Sequence, residues 1–389
     1  MKHTDLYTRC EAALPEFIDF WRTIVNIDTG SRYGEGINQM AQIVAAAFEE
    51  LGAAVTKIPC QNPQDGTHVL VQFKGSGKGK LLAMAHMDTV FTPGTAAERP
   101  FTIDGEWVRG PGVSDCKGSV ALALFTMKQL CAMDFHDYDT LTFFFNCDEE
   151  IGSPDSHDLL QTLAKEHHAA LCMEPGQVGD GVVMWRKGSA NLIVEVTGVE
   201  SHAGSNPENG RNALVELTYQ IQKLMTLENP DKQTTVNFTV CSSGCKTNVI
   251  PNYAKAIADV RVMYSEELDR LEAEAQTLAA TTTVPDTTVR VTLKRDNPPF
   301  GKNEGTDKLI AILQTLYKEL DKELIAIGAG GASDANWAAT AGITAVDGLG
   351  PVKGGKNHTA QECTRLDSVV PRMYLMARTL MTLGHNPNL

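Results

Sequence analysis

Three consecutive acids, Asp148, Glu149 and Glu150, follow directly on the apolar run LTFFFNC. Adjacent carboxylates repel one another, and at the end of a buried strand they cost free energy unless a positive charge lies among them. The same grammar recurs where LLAMA runs into His86-Met87-Asp88 and AALCM runs into Glu174-Pro175-Gly176, while the Gly-rich RGPGVSDCKGS carries Asp115 just ahead of a helix. One or two imidazoles with four or five carboxylates suit zinc or a similar divalent ion, and a carboxylate shared by two ions makes a co-catalytic pair. Each piece alone has an ordinary structural reading. His86 can be a partly buried histidine paired with Asp88, the glutamates a solvated strand end, Asp115 a helix N-cap and Glu174 a turn residue. Their recurrence at one kind of place is the signal.

The elements that must position these residues alternate. Apolar residues at helical spacing over Leu14 to Ile27 and Ile37 to Leu51 predict helices, the second closed by Gly52. Strands are predicted over His68 to Phe73, Leu81 to Ala85, Thr140 to Cys147 and Ala169 to Met173, with a helix over Lys117 to Met133. This is an α/β pattern, a sheet flanked by helices whose strand carboxyl ends form the usual ligand crevice. Between Lys187 and Asn297 the pattern changes to strands NLIVEVTG, VNFTV, AKAIADVRVMY and VRVTL with two helices, a compact α+β insertion. Residues 1–186 and 298–389 are therefore expected to form one discontinuous domain around an inserted domain of residues 187–297.

At 389 residues two domains are the natural expectation, and 42% hydrophobic with 21% charged residues is a globular composition. A net charge of −14 without a Lys/Arg-rich run argues against nucleic acid and anionic membranes as partners. Nine cysteines, an odd total without a C-x-x-C pair, point to a reducing compartment, the cytoplasm. The first residues lack an apolar signal-peptide core, and no run approaches about 18 consecutive apolar residues, so neither a signal peptide nor a membrane span is expected. Ser201 and Ser333 lack a His/Asp partnership, which disfavours a serine hydrolase. The Gly-rich GAGGASD lacks a Walker lysine and suits close approach to a substrate or metal site.

Taken in order, AHMDTV, GPGVSDCKGS, CDEEIGS, MEPG, ESHAGSNPENGRNAL, NVIP, DVRV, GGASDANWA and KNHTAQE resemble the bacterial glutamate carboxypeptidases. These folate-hydrolysing enzymes fall within the co-catalytic zinc peptidases and deacylases that include acetylornithine deacetylase and succinyl-diaminopimelate desuccinylase. The resemblance implies two zinc ions per subunit, with cobalt or manganese as substitutes. His86, Asp115 and Glu174 would hold one ion and Asp115, Glu150 and His358 the other. Asp88 would orient His86, and Glu149 would be the general base, its separation from Glu150 ascribed to the alternation of an extended segment. His202 would stabilise the oxyanion, reaching a neighbouring subunit in a homodimer formed through residues 187–297. Asn248 and Arg261 would bind the substrate's terminal carboxylate, with Ser333 in the substrate site. The peptide bond after Asp115 is expected to be cis.

Departures from that pattern bear on specificity. Gly181 and Asn297 stand near the positions where glutamate-specific members carry basic residues, leaving Arg186, Lys187 or Arg295 as substitutes, and Cys116 replaces the usual Asp or Met. The expected activity is hydrolysis of an amide to a carboxyl-terminal amino acid, glutamate foremost, in a small-molecule substrate. A deacylase of N-acyl amino acids is the alternative, and a non-catalytic binding protein on the same fold the rival from another class.

Overall fold

The computed structural model describes residues 3–389, which divide into two compact units. The first comprises residues up to Trp185, Lys302–Ala329 and Ser333–Leu389, and the second Arg186–Gly301 with Gly330–Ala332.

The first unit is built on a six-stranded mixed sheet. Its strands are β1 (Ala54–Pro59), β2 (Thr67–Lys74), β3 (Lys80–His86), β4 (Thr140–Asn146), β5 (Ala169–Cys172) and β6 (Thr344–Val346), in the order β1-β2-β4-β3-β5-β6. β1 and β2 are antiparallel, as are β2 and β4, whereas β4, β3, β5 and β6 run parallel. Every residue of β4 and β5 is buried, which is why these runs are continuously apolar rather than alternating. Helices His3–Val25, Lys117–Ala132 and Val369–His385 pack on one another, and Gly34–Glu49 covers β1 and β2. The first of these begins well before the expected Leu14 and runs through Pro15, because Leu6, Cys10, Phe17, Trp21 and Ile24 form one continuous buried stripe.

A second, three-stranded sheet matters to the site. Trp107–Arg109 pairs antiparallel with Cys363–Arg365, bringing the loop that holds Asp115 beside the segment that carries His358 and Glu362. Residues some 250 positions apart in the chain are joined by this pairing.

The second unit is a four-stranded antiparallel sheet, ordered Thr235–Ser243, Tyr253–Val262, Gly188–Thr197 and Thr288–Asn297. Alternate residues such as Leu192, Val194, Ala256 and Ala258 are buried with Leu217, Leu224, Leu268 and Leu271 of its helices Ala213–Met225 and Ser265–Ala279. Its ends are joined by the exchange of backbone hydrogen bonds between Arg186 and Phe300, 2.9 and 3.0 Å, so the division falls at Arg186 and Gly301. Arg186 Nη1 also donates to Gly331 O, 3.0 Å, which brings Gly330–Ala332 into this unit. Among the described residues no helix is long and apolar enough to cross a membrane.

An aromatic cluster of the first unit lies beneath β2 and β4. Phe48 has ring centroids of Phe73, Phe143 and Phe145 at 6.3, 5.7 and 5.5 Å and is fully buried. Phe48→Ala is expected to destabilise the protein by about 3–5 kcal/mol in urea unfolding of the metal-free protein; a loss below about 1 kcal/mol would show that this cluster is not a keystone of the sheet.

Candidate active site

The parallel strands end at one edge, and each ends in chemistry. β3 closes on His86, with Asp88 two residues on; β4 leads into Asp148-Glu149-Glu150, β5 into Glu174, and β6 into Asp347. The three acids after β4 turn out to be divided between two tasks. Asp148 serves the turn itself, accepting from the backbone N–H of Asp155 and Ser156 (2.7 and 3.1 Å) and from Ser156 Oγ (2.6 Å). Glu149 and Glu150 face the other groups of the site. Their separation does not come from strand alternation, because Glu149–Ile151 is a 3₁₀ turn in which successive side chains diverge by about 120°. That turn is fastened by Asp88, whose carboxylate accepts both the Glu149 and the Glu150 N–H at 3.2 Å, and also Ser31 Oγ at 2.7 Å.

Asp115 stands at the centre. His86 Nε2 lies 3.0 Å from its Oδ1 and 3.5 Å from Glu174 Oε1, and His358 Nε2 lies 3.2 Å from its Oδ2 and 3.2 Å from Glu150 Oε2. Two donor sets thus share one carboxylate, one oxygen to each. On the other side of the His86 ring, Nδ1 lies 3.0 Å from Asp88 O and 3.3 Å from Asp88 Oδ1, which fixes its proton there. A neutral His86 would turn the Nε2 lone pair toward carboxylate oxygens, so the contact is favourable only with a second proton on the ring, donated to Asp115, or with a cation between the donors. Glu150 Oε1 is also buried without a hydrogen-bond partner. Separations of 3.0 to 3.5 Å match the edge of a tetrahedron, about 3.3 Å, around an ion bonded at about 2.0–2.1 Å. The donor types and spacing therefore fit a pair of divalent ions.

Electrostatics follow from this crowding. Burial alone would raise the Asp115 carboxyl, but hydrogen bonds from His358 and His86 outweigh it and hold it well below the usual carboxylate range. Asp115 first and Glu150 second lift His358 to about 10. Glu149, 4.0 Å from His86 Nε2, is pushed well above the usual range by burial and then by the charge of Glu174. A carboxyl that gains a proton this readily is suited to moving one.

Other residues of the site had no assigned task in the sequence reading. Glu362 accepts from the N–H of Gly112, Ser114 and Asp115 (3.3, 2.9 and 3.0 Å), fixing the loop that presents the shared carboxylate; burial and then Asp115 push its carboxyl to about 7. Gly112 serves this loop at φ 70°, a left-handed conformation that suits glycine. The Asp115–Cys116 peptide bond is cis, and Cys116 Sγ donates to Met173 O at 3.3 Å. Asn357 Nδ2 donates to Asp115 Oδ2 at 3.0 Å. Asp334 accepts from Ser153 Oγ at 2.5 Å and is raised to about 7 by burial. Glu362 and Asp334 lie within KNHTAQE and GGASD, but nothing in their spacing separates them from ordinary surface acids.

Ser333 is the N-cap of helix Asp334–Ala339. Its hydroxyl donates to Asp347 Oδ2 (2.7 Å) and accepts the Ala335 N–H (3.2 Å), so the residue is committed to holding the end of β6 and the start of the helix. His202, Asn248 and Arg261 belong to the second unit. His202 is exposed, and its Nδ1 accepts the N–H of Gly204 and Ser205 at 3.1 and 3.0 Å, leaving Nε2 as the protonated nitrogen. Arg261 sends its guanidinium to Asp259, with contacts of 2.9 and 2.8 Å. The cations weighed for reading a substrate side chain are engaged as well: Arg295 with Asp269 and Glu272 (both 2.7 Å), Lys187 with Gln233 O (2.6 Å) and Arg186 with Gly331 O.

Comparison with known proteins agrees with this architecture. Residues 82–382 match the family model of peptidase family M20/M25/M40. Carboxypeptidase G2 of Pseudomonas sp. (strain RS-16) is 35% identical over 372 residues, which is 95% of this chain and 90% of that protein. Acetylornithine deacetylase of Edwardsiella ictaluri is 26% identical over 228 residues, 57% of this chain and 58% of that protein. Among solved structures, the aminopeptidase PepT of Bacillus cereus superposes with a TM-score of 0.81 at 19% identity, covering 95% of this chain and 98% of that one, a likeness of fold. The chain belongs to peptidase family M20/M25/M40 and is an enzyme, a metallopeptidase or amidohydrolase.

Proposed function

We propose that the chain is a di-zinc exopeptidase of the glutamate carboxypeptidase type, hydrolysing the amide that joins an acyl group to a carboxyl-terminal amino acid, glutamate or a close analogue. The observation that carries this reading is Asp115 shared between two histidine and carboxylate sets. The choice of leaving group rests on the 35% identity to carboxypeptidase G2 over nearly the whole chain. His86, Asp115 and Glu174 would hold one zinc ion, and Asp115, Glu150 and His358 the other; cobalt or manganese fits the same donors. Two such ions polarise a carbonyl and acidify a water when bound.

The chain's own residues do the rest. Glu149 takes a proton from the attacking water and returns it to the leaving amine, the role its raised carboxyl favours. Asp88 holds the His86 tautomer and, through two backbone N–H groups, the turn that aims Glu149 and Glu150. His202 donates from Nε2 to the oxyanion, the nitrogen that its two backbone contacts leave protonated. Asn248 and Arg261 receive the terminal carboxylate, Arg261 exchanging Asp259 for it in a bidentate contact. Ser333 contributes by fixing the GAGGASD turn rather than by offering a free hydroxyl. A homodimer formed through the second unit and a cytoplasmic location belong to the same reading, the latter resting on an odd total of nine cysteines without a C-x-x-C pair. The alternative, an N-acyl-amino-acid deacylase, is favoured by Gly181 and Asn297, neither of which can form an ion pair with a γ-carboxylate as Lys or Arg would.

A panel of N-acyl amino acids including pteroyl- and benzoyl-glutamate, assayed with zinc-loaded protein with and without chelator, separates these readings. Chelator-sensitive release of glutamate is expected; release of other amino acids alone would assign the enzyme to the deacylases. On the best substrate, Glu149→Gln should lower kcat by about 10²–10⁴, and near-normal turnover would remove Glu149 from proton transfer. His202→Ala should lower kcat by about 10²–10³ with the oligomeric state unchanged in sedimentation; an unaffected rate would take it out of the oxyanion role.

A further inference from the structure

Three side chains that the proposed reaction does not use meet in the interior of the first unit: Cys60 just after β1, His68 in β2 and Cys147 just after β4. Cys60 Sγ and Cys147 Sγ are 3.4 Å apart although 87 residues separate them in the chain. His68 lies against both sulfurs, Nε2 at 3.6 Å from Cys60 and Nδ1 at 3.5 Å from Cys147. All three residues are buried, yet both cysteines line a cavity of about 230 Å³ with Gln61, Ile151 and Asp155, roomy enough for a small reagent.

A Cys₂His set invites a metal reading, and the hydrogen bonds argue against it. The Cys147 N–H donates to His68 Nδ1 at 3.2 Å, so Nδ1 is an acceptor and the ring proton sits on Nε2. That proton faces Cys60, with Asp155 Oδ1 at 3.9 Å, and occupies the direction a metal bond would need. What remains is an asymmetric pair of thiols. Contacts with Cys147 at 3.4 Å and with the protonated Nε2 of His68 at 3.6 Å favour the Cys60 thiolate and draw it down to about 6 against the effect of burial. Cys147 lies instead against the acceptor Nδ1 of His68, at 3.5 Å, and is pushed the opposite way by its contact with Cys60 and then by burial.

We propose that Cys60 and Cys147 are a modification site for peroxides, a dithiol that converts reversibly to a disulfide. The Cys60 thiolate attacks one oxygen of hydrogen peroxide; an S–O bond forms, the O–O bond breaks, and hydroxide departs and is protonated to water. Cys147 then attacks the Cys60 sulfur of that sulfenic acid. The S–S bond forms as the sulfenic oxygen leaves as water with the Cys147 proton, so two electrons pass from the two thiols to one peroxide. The sulfur separation must shorten from 3.4 Å to about 2.05 Å. A dithiol reductant reverses the change by exchange. The bond ties the end of β1 to the residue that enters the Asp148-Glu149-Glu150 turn, and its formation does not depend on which amide the enzyme cleaves.

The test uses the full-length, zinc-loaded protein exposed to hydrogen peroxide, followed by thiol titration under denaturing conditions and mass mapping of a non-reduced digest. Expected are the loss of two of the nine thiols, a Cys60–Cys147 linked peptide lighter by two hydrogens than its parts, and full recovery with dithiothreitol. Cys60→Ser should abolish the linked peptide and slow the oxidation of Cys147 by about tenfold or more. Reduced Cys60 and Cys147 after the exposed Cys241 and Cys245 have been consumed would overturn the proposal. So would a metal ion released from the wild-type pair by a thiol reagent.

Discussion

The rest of the structure depends on an unfavourable concentration of negative charge. Asp88, Asp115, Glu149, Glu150, Glu174 and Asp334 lie buried or nearly so around His86, where carboxylates repel one another and burial penalises each charge. Two histidines cannot neutralise such a set. Divalent charge between the donors changes the sign of the problem, because the acids that repel one another all attract the same cations. The cost is then met by binding, and the protein must only keep the donors from relaxing apart.

Much of the chain serves to prevent that relaxation. Parallel β3, β4 and β5 deliver His86, Glu150 and Glu174 at fixed register from a fully buried sheet. Asp115 comes from a loop instead, and Glu362 compensates by accepting three of that loop's N–H groups. Pairing of Trp107–Arg109 with Cys363–Arg365 sets both this clamp and His358 beside it. Asp88 carries two duties, orienting His86 and fastening the turn that separates Glu149 from Glu150, so its loss would loosen both donor sets together.

The strands and their polar ends were legible in the sequence because buried parallel strands are continuous apolar runs and ligands follow them at once. Boundaries agreed to within a few residues for the same reason. The short β6 was not legible: three residues, Thr344–Val346, carry no periodicity, and Asp347 stayed hidden with them. The alternation argument for Glu149 and Glu150 failed because a tight turn replaces the strand after Asn146. Glu362, Asp334 and the Cys60–His68–Cys147 contact depend on tertiary approach between distant segments, which no local pattern encodes. Ser333 looked like a ligand-facing residue beside glycines and is a helix cap, a role its spacing to Asn336 could have suggested.

The central claim is that Asp115 organises two cations, and metal stoichiometry by elemental mass spectrometry on chelator-stripped, zinc-reconstituted protein tests it most directly. Two ions per chain are expected for the wild type and none retained through gel filtration for Asp115→Ala, with the variant still folded by circular dichroism. Fewer than two ions in the wild type, or two retained by the variant, would contradict the account.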